Sequence, residues 1–137
     1  MDLHNSIKVS RGLSPVAAGT DNTAYVSQII DTANFAATEF LVLIGANTDA
    51  DATFTVLVED GDNASLTDNA AVADAYLLGT EVLASFDFSD DNETRKIGYI
   101  GPKRYVRVTI TPANNAAGNI FIAGCWVQAG ARVSPQS

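Results

Sequence analysis

Nucleophilic catalysis needs a positioned base beside its nucleophile, and this chain offers one histidine, His4, and one cysteine, Cys125. His4 stands four residues from the start of the sequence and reads as a solvated terminal imidazole. Cys125 lies inside the apolar run Ile120-Phe121-Ile122-Ala123-Gly124-Cys125-Trp126-Val127, where a thiol serves as a small packing group. No histidines and cysteines recur at zinc-binding spacing, so no metal site and no cofactor are expected. Carboxylates are the abundant reactive type. Glu59-Asp60-Gly61-Asp62-Asn63 and Asp49-Ala50-Asp51 could offer oxygens to calcium, but Ala64 takes the third ligand position counted from Asp60 and no glutamate closes the loop. Hairpin-tip acids that solvate a turn are the competing reading, as they are for Asp87, Asp90, Asp91 and Glu93. A paired-carboxylate hydrolase site stands behind both. These residues argue against an enzyme and for a binding or structural protein.

The basic residues form the more pointed constellation. Arg95, Lys96, Lys103, Arg104 and Arg107 are interleaved with Tyr99 and Tyr105, a mixture that single-stranded nucleic-acid binders use on strands. A net charge of −8 opposes a polyanion, so a protein partner is expected and nucleic acid is not. The charge is also unevenly placed along the chain. All 16 acidic residues fall in the first 93 positions, while residues 94–137 carry 6 of the 8 basic ones and no acid. Two readings follow: a localised basic face that meets a negative partner, or pairing of these cations with acids of the same chain or a neighbouring subunit.

The elements that must carry these groups are strands. Runs at residues 6–10, 25–31, 40–45, 53–59, 82–88, 95–100, 105–111 and 119–128 are separated by Gly, Asn, Asp and Pro. Eight such runs predict an all-β fold, a β-sandwich or jelly roll forming one domain over residues 1–137. Val106, Val108 and Ile110 alternate with Tyr105, Arg107 and Thr109, and Phe54, Val56 and Val58 alternate with Thr53, Thr55 and Glu59. Phe40-Leu41-Val42-Leu43-Ile44 and the run around Cys125 do not alternate, which predicts strands covered on both faces, by a loop or by a neighbouring subunit. Residues 68–78 are Ala-rich with Asp68 or Asn69 as a cap, and read as a short helix or as a loop. Residues 1–22 read as an extended arm and 129–137 as a tail.

Length and composition set the outer bounds. A chain of 137 residues buries a core without disulfides, and a lone cysteine fits a reducing compartment. No signal peptide is visible, and the longest apolar run is too short to span a bilayer, so a soluble protein made in the cytoplasm is expected, with no membrane partner.

The segment Arg95-Lys96-Ile97-Gly98-Tyr99-Ile100-Gly101-Pro102-Lys103-Arg104-Tyr105-Val106-Arg107-Val108 resembles a stretch found in small virion proteins of tailed bacteriophages encoded beside the major capsid protein. The likeness extends loosely to Val9-Ser10-Arg11-Gly12-Leu13-Ser14-Pro15-Val16 and residues 25–31. It implies a capsid cement or decoration protein: a sandwich without catalytic residues, oligomeric, bound to the major capsid protein on the virion surface. On that expectation Lys103, Arg104, Tyr105, Arg107 and Tyr99 are the candidate contacts; Arg104 and Arg107 stand on opposite faces of their strand, so at most one of the two meets the partner directly and the other pairs within the protein or across its oligomer interface. Phe121 and Trp126 are candidates for the interface of a dimer or trimer, although Trp126 equally suits a core. A head–tail or tail component is the alternative within the virion, and a calcium-dependent carbohydrate- or receptor-binding sandwich the alternative outside it.

Overall fold

The computed structural model describes residues 2–116 and 118–132. Two antiparallel sheets face each other across one apolar core, so the chain is an all-β sandwich. The strands in chain order are β1 (Ile7–Leu13), β2 (Tyr25–Val26), β3 (Ile30–Asp31), β4 (Ala37–Asn47), β5 (Thr53–Gly61), β6 (Ala70–Ala71), β7 (Leu77–Leu78), β8 (Phe86–Asp87), β9 (Thr94–Tyr99), β10 (Tyr105–Ala113) and β11 (Ile120–Ala129). One sheet runs β1-β11-β4-β9-β7; the other runs β2-β10-β5-β6, with β3 added to β10 and β8 to β5.

Period-two alternation builds the second sheet as its sequence predicts. Phe54, Val56 and Val58 of β5 and Val106, Val108 and Ile110 of β10 point inward and are almost fully buried. In register, Val58 pairs with Val108 and Glu59 with Arg107, so the polar alternates share the outer face. From the other sheet, Phe40 and Trp126 meet edge to face with ring centroids 4.7 Å apart. The Trp126 indole N–H donates to the carbonyl of Gln28 at 3.0 Å, which satisfies its one polar atom inside the core. Phe40 fits because Gly12 and Gly124 flank its ring; a Cβ at either would stand 2.5 or 2.6 Å from a ring carbon.

Several expectations need correction. Residues 82–88 are not a strand: Thr80 caps a one-turn helix α1 (Glu81–Ala84), and only β8 follows. The Ala-rich stretch at 68–78 is not a helix but two two-residue strands, β6 and β7, with a 3-10 turn at Asp74–Tyr76 between them. β6, α1 and β8 lie along the side of β5 away from β10, while β7 joins the edge of β9 in the other sheet. Along that side of β5 the Glu81 carboxylate accepts from Val58 N–H at 2.7 Å and the Ser85 hydroxyl oxygen accepts from Val56 N–H at 3.0 Å. Two side chains thus take the place of a missing strand. The N-terminal arm is shorter than read, because β1 pairs with β11 along the edge of the first sheet. The remainder is held by the Gly19–Ile120 bridge and by Asn115, whose backbone N–H donates to Asn22 Oδ1 at 2.9 Å and whose side-chain amide donates to the Asp21 carbonyl at 3.0 Å. Of the predicted tail, Ala129 ends β11, and residues 133–137 lie outside the described residues.

Candidate protein-binding face

The cations of the C-terminal segment come from β9, β10 and the turn between them, and the register carries most of them to acids from earlier in the chain. Arg104 grips Asp31 with both prongs, Nε–Oδ1 at 2.9 Å and Nη2–Oδ2 at 2.8 Å. These hydrogen bonds hold the Asp31 carboxyl below its usual value and raise the guanidinium's. Arg107 donates to Glu59 at 3.0 Å, Lys103 to Asp62 at 3.1 Å, and Arg95 to Glu93 at 2.7 Å with Asp90 at 3.4 Å. A charge-segregated sequence has become a set of local pairs, which is the intramolecular alternative of the two readings. The guanidinium of Arg104, just before β10, lies 5.1 Å from the centre of the Tyr105 ring. Arg104 and Arg107 therefore share the outer side of the sheet instead of alternating.

Tyr99 is a core residue and not a surface one. It is 6% exposed, donates to Asp60 Oδ2 at 2.6 Å and accepts from the Lys103 N–H at 3.0 Å. Burial and that carboxylate push its phenol well above the ordinary value. Gly98 lies within β9, where a Cβ would collide with Glu39 and Leu78. Trp126, 2% exposed, belongs to the core for the reason given above, whereas Phe121 is 48% exposed. Asp60 is occupied by Tyr99, and Asp68 accepts from the N–H groups of Asp62 and Asn63. Among the described residues no three His, Cys, Asp or Glu side chains are grouped to hold a metal ion.

The outstanding surface is the outer face of the first sheet. β4 alternates in burial after all: Phe40, Val42 and Ile44 point inward, while Leu41 and Leu43 point outward and are 36% and 58% exposed. β11 sets Phe121, Ala123, Cys125 and Val127 on the same side, with Cys125 opposite Leu41 and Ala123 opposite Leu43. β1 adds Val9 and Arg11, and β7 adds Leu78. Within the single chain these strands are therefore covered on one face only, and of the two covers expected the loop is not what lies over Leu41, Leu43 and Phe121. A groove of about 560 Å³ runs across it, between Leu41, Leu43, Ala123, Cys125, Thr94 and Lys96. Glu39 lies at one end, beside Gly98 and Val127, and its partial burial raises its carboxyl against the opposing pull of Lys96. The sequence signal for this face was the unbroken apolar run. Alternation of burial was hidden because both sides of the strand use the same residue types.

What fold and surface define is a β-sandwich with one uncovered apolar sheet face. No protein-family model and no curated protein sequence matches the chain. Among solved structures it is similar to the PBSX exported protein XepA, at 15% identity and TM-score 0.51 over 97% of this chain and 39% of that one. This chain thus spans about two-fifths of the length of XepA. The SPBc2 prophage-derived protein YomS follows at 13% identity and TM-score 0.47, over 88% of this chain and 94% of that one. The CBM22-1 xylan-binding domain of Paenibacillus barcinonensis Xyn10C gives 10%, 0.45, 93% and 83%. At such identities the likeness to XepA is one of fold. No helix among the described residues is long and apolar enough to cross a membrane.

Proposed function

We propose that this chain is a structural protein of a tailed-phage particle, a cement-type subunit that binds the assembled shell and works by protein–protein contact, without catalysis. The observation that carries the reading is the apolar outer face of the β1-β11-β4-β9-β7 sheet. An exposed apolar patch of this extent on a soluble domain is a contact surface. The resemblance of residues 95–108 to small virion proteins supports the setting, and the fold shared with the PBSX exported protein XepA is compatible with it. A protein that binds only the assembled lattice stabilises it by mass action. Lys103, Arg104, Tyr105 and Arg107, on and just before β10 of the other sheet and held in place by Asp62, Asp31 and Glu59, offer the shell a polar surface that stays open when the apolar face is covered. The test is sedimentation of purified protein with undecorated capsids of its phage. Saturable co-sedimentation, at a fixed ratio to the major capsid protein, and a raised disruption temperature of the shell are expected. Protein left in the supernatant at all concentrations would defeat the cement role.

A further inference from the structure

Taking the apolar sheet face as a protein-binding surface, as the reading above does, we propose that its occupant is a second copy of this chain, packed sheet on sheet about a two-fold axis.

Area is the first argument. The strands of this sheet have 7, 10, 11, 6 and 2 residues. At a rise of about 3.3 Å and a spacing of about 4.8 Å they form a face of roughly 570 Å² in projection. Two such faces together cover roughly 1,100 Å², which reaches the ~1,000 Å² that a specific interface requires.

Charge is the second. The chain carries −8 overall, so two copies repel on most approaches. The sheet face is the exception. Its outward charges are Glu39, Lys96 and Arg11, a net of +1, while the acids at residues 49–51, 60–68 and 87–93 lie outside its rows. Copies can meet here without opposing their acidic surfaces. An isologous contact also lets a cation of each copy face the Glu39 of the other.

Relief is the third. Leu43 and Phe121 stand out from the face, whereas Ala123, Gly124 and Cys125 form a depression beside them. A surface that holds both knob and hollow is suited to pack on itself at the ~10 Å separation of stacked sheets.

Light scattering after size exclusion reads the outcome directly. At tens of micromolar the full chain is expected at twice its 14.4 kDa mass, and Leu43→Asp at 14.4 kDa. Val16→Asp, on an arm residue that is 90% exposed, is expected to remain a dimer. Cys125 gives a second readout that needs no variant. As the chain's one thiol, on this face, it is expected to react slowly with a disulfide reagent when concentrated and faster on dilution. A monomeric wild type, or a Leu43→Asp variant that folds and still dimerises, overturns the proposal. Reactivity of Cys125 that is fast and independent of concentration does the same. A dimer that ignores capsids would defeat the cement role and leave this inference standing. A monomer that co-sediments would do the reverse.

Discussion

The phenol of Tyr99 ties three segments together: β9 that carries it, Asp60 at the inner side of β5, and the Lys103 amide in the turn before β10. Tyr99→Phe leaves a nearly buried carboxylate and a backbone N–H without this partner. A loss of about 1–3 kcal/mol is expected, read as a lower denaturant midpoint at unchanged slope. The two arginines that bracket Tyr105 are expected to differ. Arg107 and Glu59 are 22% and 17% exposed, so Arg107→Ala strands a half-buried carboxylate and costs about 1–3 kcal/mol. Arg104 and Asp31 are 54% and 45% exposed, and Arg104→Ala is expected to change stability little. Its signature is in pH. Asp31 is held below its unfolded value, so its contribution is complete above about pH 4 and is lost as pH falls through the lowered value. The gap between wild type and Arg104→Ala in acid denaturation should close on that descent. A gap that widened there would place the stabilisation elsewhere.

At the scale of elements, β5 and β10 were legible from their sequences because one face of each is polar, and alternation then reports burial. The β4 and β11 strands were legible as strands but not in their surroundings, since Leu41 and Leu43 outside match Val42 and Ile44 inside in type. The stretch 68–88 was misread for a different reason. β6, α1 and β8 close one side of β5, where two amides take side-chain acceptors, and β7 closes the edge of β9, so their form is a fact of tertiary structure. Glu81 shows how much rests on this. Glu81→Ala removes the acceptor for Val58 N–H, and a loss of about 1–3 kcal/mol is expected. Amide exchange should accelerate more at Val58 than in β10, whose amides follow the loss of global stability alone. Uniform acceleration across the sheet would mean that α1 is not a local plug.

For the whole molecule, the segregation of charge along the sequence was plain, but its meaning was not. Asp31, Glu59 and Asp62 are far from Arg104, Arg107 and Lys103 in sequence, and only strand pairing brings them together. The pairing neutralises Arg95, Lys103, Arg104 and Arg107 and leaves the apolar face as the chief surface feature. Glu39 is the charge that this face tolerates least. Its carboxyl is raised by burial, so the folded state favours the neutral acid. That contribution is complete below about pH 4.3 and is lost as pH rises through the raised value. At pH 7 Glu39→Gln is therefore expected to be more stable than wild type in dilute solution, with the difference shrinking as pH falls towards 4. A Glu39→Gln variant less stable at pH 7 would show that attraction to Lys96 outweighs burial.

The use of the apolar face is tested most directly by sedimenting Leu43→Asp and Val16→Asp with undecorated capsids beside the wild type. Both place a carboxylate at an exposed apolar position, 58% and 90% exposed, and both should fold. Leu43→Asp, kept single, meets the shell through one polar surface where the paired chain offers two, and is expected to stay in the supernatant while Val16→Asp pellets with the shells as the wild type does. Pelleting of folded Leu43→Asp at wild-type levels would show that the particle is bound without this face.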